Sequence, residues 1–178
     1  MTSRLVRLLG LLFTGLFAGF LLGVLVLENS LRGYDASVYT QVRLVELDSL
    51  DKLASATLIP ALICTLVLAV SAIRARGNDR WLVLGAFGLL TLVLVTSLVV
   101  NLPINGDQAD WLVQSPPSDW ASVRDRWQVA HVVRTVSAVL AFGALIVAAV
   151  NRANRSEHIE VVGAEPALSA VRRRSSVD

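Results

Sequence analysis

Cysteine, lysine and histidine are nearly absent from this sequence of 178 residues, and each scarcity removes a class of explanation. One cysteine, Cys64, permits neither a disulfide framework nor a cysteine-based metal motif, and its place inside a long apolar run reads as packing. Of the two histidines, His131 sits near an apolar run and His158 in a distant polar segment, so no metal site and no cofactor is expected. Lysine is represented by Lys52 alone, although arginine is plentiful. There is no Gly-rich phosphate loop, no dinucleotide fingerprint and no Ser-His-Asp arrangement. Charge of either sign is scarce too, at 17% of residues against 54% hydrophobic, and the mean hydropathy of +0.63 is too apolar for a soluble domain of this length.

What fills the chain is four apolar runs, at about 8–27, 53–73, 81–100 and 129–150. At about 1.5 Å per residue, each can cross roughly 30 Å of hydrocarbon as a helix. Continuous Leu/Val/Ala runs do not alternate as barrel strands must. The expected fold is therefore all-α, a four-helix transmembrane bundle over residues 1–152 with helical extensions and loops on one face. Arg4 and Arg7 before the first run imitate a signal peptide, but the run is too long for a short h-region and Leu-Glu-Asn-Ser at its end is no cleavage site.

If the helices alternate, Arg4, Arg7, Arg74, Arg76, Arg80, Arg152 and Arg155 fall on one side, which should be cytoplasmic. Asp35, Glu46, Asp51, Asp107, Asp110, Asp119 and Asp125 then fall on the outer side. This implies a multi-pass protein of the cell membrane with both termini in the cytoplasm, lipids as neighbours and no nucleic-acid partner. Residues 153–178 are polar without periodicity and read as a disordered cytoplasmic tail.

Gly15, Gly19 and Gly23 form a small-xxx-small ridge that suits close helix packing, within the bundle or with a second copy or partner. Glu28 lies about half a turn from it, on the face of Phe17, Leu21 and Val24. Asp35 can cap a helix running from Ala36 into the second span, its outer part showing Val38, Val42, Val45, Ser49 and Lys52 on one face. Arg43 and Asp48 then read as solvated, while Glu46 and Asp51 are either solvated or part of an outer mouth. Pro60 should bend the second span, with Thr57 or a neighbouring helix serving the freed carbonyl. Ser97 and Asn101 share a face suited to interhelical hydrogen bonds, and Pro103 with Asn105-Gly106 should end the third span.

The densest polar chemistry runs from Asn101 to Arg134. Trp120, Arg124, Trp127, His131 and Arg134 are spaced four, three, four and three, which puts them on one stripe of a helix entering the membrane. Asn101-x-Pro-x-Asn105 followed by Trp120, Trp127, His131 and Arg134 resembles the anthrone-oxygenase-like family of small four-helix membrane proteins, over roughly residues 8–151. Glu28 and the Val-Glu-Leu-Asp48 segment look similar to an actinobacterial branch. The resemblance implies a four-helix membrane bundle, and a few fungal relatives oxidise anthrones to anthraquinones without a recognised cofactor.

Two readings of the set follow from the residues themselves. In the first, His131 moves a proton and Arg134 stabilises a developing oxyanion, while Trp120, Trp127, Asn101, Asn105 and Glu28 bind an aromatic, quinol-like or lipid-like substrate at the outer leaflet. In the second, the tryptophans are interface anchors, His131 bonds between helices, and Arg134 snorkels or pairs with Glu28 or Asp125 in a non-catalytic membrane adaptor.

Overall fold

A computed structural model of the chain describes the backbone of residues 2–77 and 79–174 and the side chains of 4–77 and 79–155. Helix α1 (Thr2–Ser30) ends in a single 3-10 turn at Leu31–Gly33. Helix α2 (Ala36–Ala75) follows, begun by Asp35, whose carboxylate accepts from the backbone N–H groups of Ser37 and Val38 at 3.0 Å. The Val38 N–H and the Ser37 hydroxyl hold that exposed carboxyl below the usual carboxylate range.

Helix α3 (Arg80–Thr96) passes through one π turn, Ser97–Asn101, into α4 (Leu102–Ala109), so the third span runs unbroken from Arg80 to Ala109. Pro103 does not stop it. A π turn adds one residue of slack to the hydrogen-bond ladder where Pro103 offers no N–H, and the helix resumes around the proline. Helix α5 begins at Trp120 and its backbone continues to Arg174. The tail expected from residue 153 therefore starts as helix, and beyond Arg155 its side chains lie outside the described residues.

Helix α1 packs on α2 and α5, and α3 packs on the same two, a four-membered ring of antiparallel neighbours. Its axis is filled by Phe17, Leu21, Leu58, Ala61, Leu90, Val93, Ala138, Ala141 and Leu145. The outside is also apolar: Leu16, Ile63, Val99 and Leu140 are each more than half exposed. A surface of that kind is stable only against hydrocarbon, and all four helical spans are long and apolar enough to cross it. The protein is an all-α, multi-pass membrane bundle.

Several local expectations change. Within the chain only the start of the glycine ridge is a packing face: a Cβ at Gly15 would meet Phe142 at 2.9 Å, but Gly19 and Gly23 have nothing within 4 Å. The face of Phe17, Leu21, Val24 and Glu28 points inward instead. Thr57 bonds the carbonyls of Leu53 and Ala54, not the one freed by Pro60, and Ser97 bonds Val93 within its own helix. Arg76, with φ 49°, takes the left-handed position that closes α2, ahead of Gly77. Asn78, the other half of the expected turn, lies outside the described residues.

Candidate functional site

At the end of the bundle away from the arginine-rich turn, residues from every span meet on one side chain, that of Arg43. The residue is 3% exposed and its guanidinium makes four hydrogen bonds. The Nε donates to Gln108 Oε1 at 2.8 Å, and one terminal nitrogen donates to Glu28 Oε1 at 3.2 Å and Glu46 Oε2 at 2.7 Å. The other donates to Asn105 Oδ1 at 2.6 Å, and the cation sits 4.1 Å from the Trp127 ring centre. A buried charge is tolerable only when its donors are used and opposite charge is close, and both conditions are met.

The partners are fixed in turn. Asn105 Oδ1 also accepts from Trp127 Nε1 at 2.7 Å, while its amide donates to both oxygens of Asp51. Gln108 donates to the Tyr39 hydroxyl at 3.3 Å. Gln128 donates to the backbone and the carboxylate of Glu28, and accepts from Arg32, which pairs with Asp125. Asn101 donates to the backbone carbonyl of Trp127 at 3.3 Å. Arg43 with Glu46, and Asn105 with Gln108, are three apart on their helices and so share one face each.

Sequence reasoning placed Arg43 among the solvated charges, and that is overturned. Val45, on the more apolar face of this part of α2, is 72% exposed, whereas Tyr39, Arg43 and Glu46 are buried. The helical spacing held part of the signal: counting back from Ala69, Thr65, Ala61 and Leu58 leads through Ala54 and Leu50 to Glu46, Arg43 and Tyr39, which marks a shared face but not whether it is covered beyond the membrane edge. Glu46 and Asp51, read as either solvated or mouth residues, both line the polar interior.

The expected stripe on α5 does face inward. His131 is stacked on Trp127, with ring centres 4.8 Å apart and planes 9° apart. Its Nε2 lies 3.0 Å from the Leu21 carbonyl oxygen, which can only accept, so the neutral ring carries its proton there and Nδ1 is a bare acceptor. That Nδ1 is buried without a partner, and so is the Nε of Arg134. Arg134 pairs with neither Glu28, which is held by Arg43, nor Asp125, which is held by Arg32 and Arg124. Trp120 stands apart from the cluster, half-buried against Tyr39 with Arg124 over its ring.

His131, Arg134, Glu46, Asp51 and Trp127 line one cavity, walled on its apolar side by Phe20, Leu47 and Leu50. Its volume of about 20 Å³ suits a single water and is more than ten times smaller than a ligand pocket of about 300–1,000 Å³. A flat ring can enter only if those apolar side chains swing aside. Glu28, Asn101 and Asn105 do not line the cavity; they reach it through Arg43 and Trp127.

Fold and site together define a helical membrane protein whose polar side chains converge in the interior at one end. The chain belongs to the anthrone oxygenase family, whose profile matches residues 52–144, more than half its length. The matched stretch includes Asn101, Asn105, Trp127, His131 and Arg134, and leaves out Glu28, Arg43 and Glu46. No curated protein and no solved structure matches the chain.

Proposed function

We propose that the protein binds a flat, weakly acidic aromatic molecule of the phenol, quinol or anthrone type at the Arg43 end of the bundle, and that His131 takes its proton. The observation that carries this reading is the pair of unpartnered buried atoms on residues of one cavity: an acceptor, His131 Nδ1, and a donor, Arg134 Nε–H. A hydroxyl or an enolisable carbonyl complements such a pair, giving its proton to the first and leaving its negative oxygen facing the second. Trp127 offers an aromatic edge beside them, and its orientation is fixed by Asn105 and Arg43.

Membership in the anthrone oxygenase family gives the reading a chemical direction. Loss of a proton from the methylene of an anthrone gives an electron-rich anion that dioxygen can oxidise. The methylene becomes a carbonyl holding one oxygen atom of dioxygen, and the other leaves as water with the two methylene hydrogens. In this reading the protein supplies the base, the cation and a dry enclosure. The arginine-rich end faces the cytoplasm of a cell membrane, both termini lie there, and the site opens at the outer leaflet.

One observation favours a second reading, a non-catalytic membrane adaptor: the cavity is water-sized and the hydrogen bonds of Arg43 are satisfied by packing partners alone. A paired measurement separates the two. His131→Ala and Arg134→Gln are compared with wild type for melting temperature in detergent and for restoring the metabolite profile of a deletion strain. Lost rescue at unchanged melting temperature is the expected result. Normal rescue by both variants removes the site, and lost rescue with lost folding supports the adaptor.

A further inference from the structure

At the opposite, arginine-rich end, the helices part around a cleft of about 670 Å³, well within the range of small-molecule sites. Among the described residues, its lining carries Arg7, Arg80, Arg152 and Arg155 and one carboxylate, Asp79. Asp79 is already engaged, by an ion pair with Arg155 and a 3.1 Å hydrogen bond from Asn151. Arg7 lies close enough to Arg152 and Arg4 for their like charges to repel. Gathering cations at the edge of a low-dielectric slab is unfavourable unless an anion joins them.

The inner wall is a different environment. Leu11 and Leu145 line it, and from Leu145 to Arg152 the helix climbs about 10 Å. A small hydrated anion satisfies the rim but not that wall. An amphiphile satisfies both. Arg80 lies over Trp81, a 69% exposed tryptophan of the kind that sits at headgroup level, which puts the rim at the depth of lipid phosphates.

We infer that this cleft binds a phosphate-bearing amphiphile, its phosphate held by Arg7 and Arg80 and its chain lying against Leu11 and Leu145. The site is separate from the Arg43 cluster and is independent of the activity proposed for it.

The test uses full-length protein, delipidated in a neutral detergent, and reads binding by native mass spectrometry and thermal shift. The probes are phosphatidylglycerol, phosphatidylcholine and inorganic phosphate. Wild type should bind one added phosphatidylglycerol, and phosphatidylcholine, whose headgroup is net neutral, far more weakly. Arg7→Gln with Arg80→Gln should weaken phosphatidylglycerol binding about thirtyfold, equivalent to roughly 2 kcal/mol. Ala148→Trp, which fills the cleft and keeps every arginine, should do the same, and decides the matter if the double variant fails to fold. Inorganic phosphate that binds alone with the same arginine dependence supports the anion site and identifies a soluble source; phosphate without effect identifies the lipid. Equal binding of the two lipids, or phosphatidylglycerol binding that neither variant changes, overturns the inference.

Discussion

Replacing Arg43 with methionine keeps most of the side-chain length and removes the charge and all four hydrogen bonds at once. The consequences can be followed partner by partner. Glu28 keeps its bond from Gln128, and Asn105 Oδ1 keeps its bond from Trp127. Glu46 loses most: Arg43 is the donor to its Oε2, and its Oε1 is buried with no partner. Gln108 Oε1 loses the Nε donor and Trp127 loses the cation against its ring. Breaking a buried ion pair from one side costs about 3–5 kcal/mol because the remaining charge is uncompensated. The assay is equilibrium unfolding in mixed micelles, comparing wild type and Arg43→Met, with a third protein that adds Glu28→Gln and Glu46→Gln to remove the stranded charges. Arg43→Met should be the least stable, and the triple variant should recover at least about half of the loss, since neutral replacement of a complete buried charge set is often tolerated. A loss below about 1 kcal/mol for Arg43→Met, the scale of an exposed pair, refutes the hub. A triple variant weaker than the single one refutes the account of stranded charge.

The two α1 glycines should respond in opposite ways. Gly19→Ala, with open space around its Cβ, should gain up to about 1 kcal/mol of helix propensity, while Gly15→Ala pushes into Phe142 and should melt below it in the same assay. Asp35→Ala should lower the melting temperature at neutral pH by removing the cap of α2. Because the folded-state value of Asp35 is depressed, its contribution is present above about pH 4 and fades as pH falls below that, so the two proteins should converge in acid. For the proposed orientation, single cysteines at the exposed positions Ala75 and Ala109 in a Cys64→Ala background should react differently with an impermeant maleimide on intact cells, Ala109 labelling and Ala75 not. The reverse pattern inverts the topology.

Much of the fold was legible because hydrocarbon imposes a simple rule on sequence. A span must be apolar over about 20 residues, so four runs give four helices, and the arginine asymmetry gathers one set of ends. The α5 stripe was legible for a related reason. Trp127, His131 and Arg134 share helical spacing, and polar groups entering an apolar layer have to face the interior, where the structure places them.

Where the chain leaves the hydrocarbon that rule weakens, and there the sequence stopped being sufficient. Beyond the membrane edge a charged residue can be solvated or buried at similar local cost, and Arg43 and Glu46 have the same neighbours along the chain in either case. Only the arrival of Glu28 from α1, Asn105 and Gln108 from α4, and Trp127 from α5 decides in favour of burial. Those partners are 15, 62, 65 and 84 residues away, and Asn105 and Gln108 are in reach because a π turn carries the third span past Pro103. The sequence by itself determined how many helices cross and which polar residues enter with α5. The tertiary structure decided which cation sits at their centre, because an ion can be buried only where partners from elsewhere in the chain supply the hydrogen bonds and charge it gives up in leaving water.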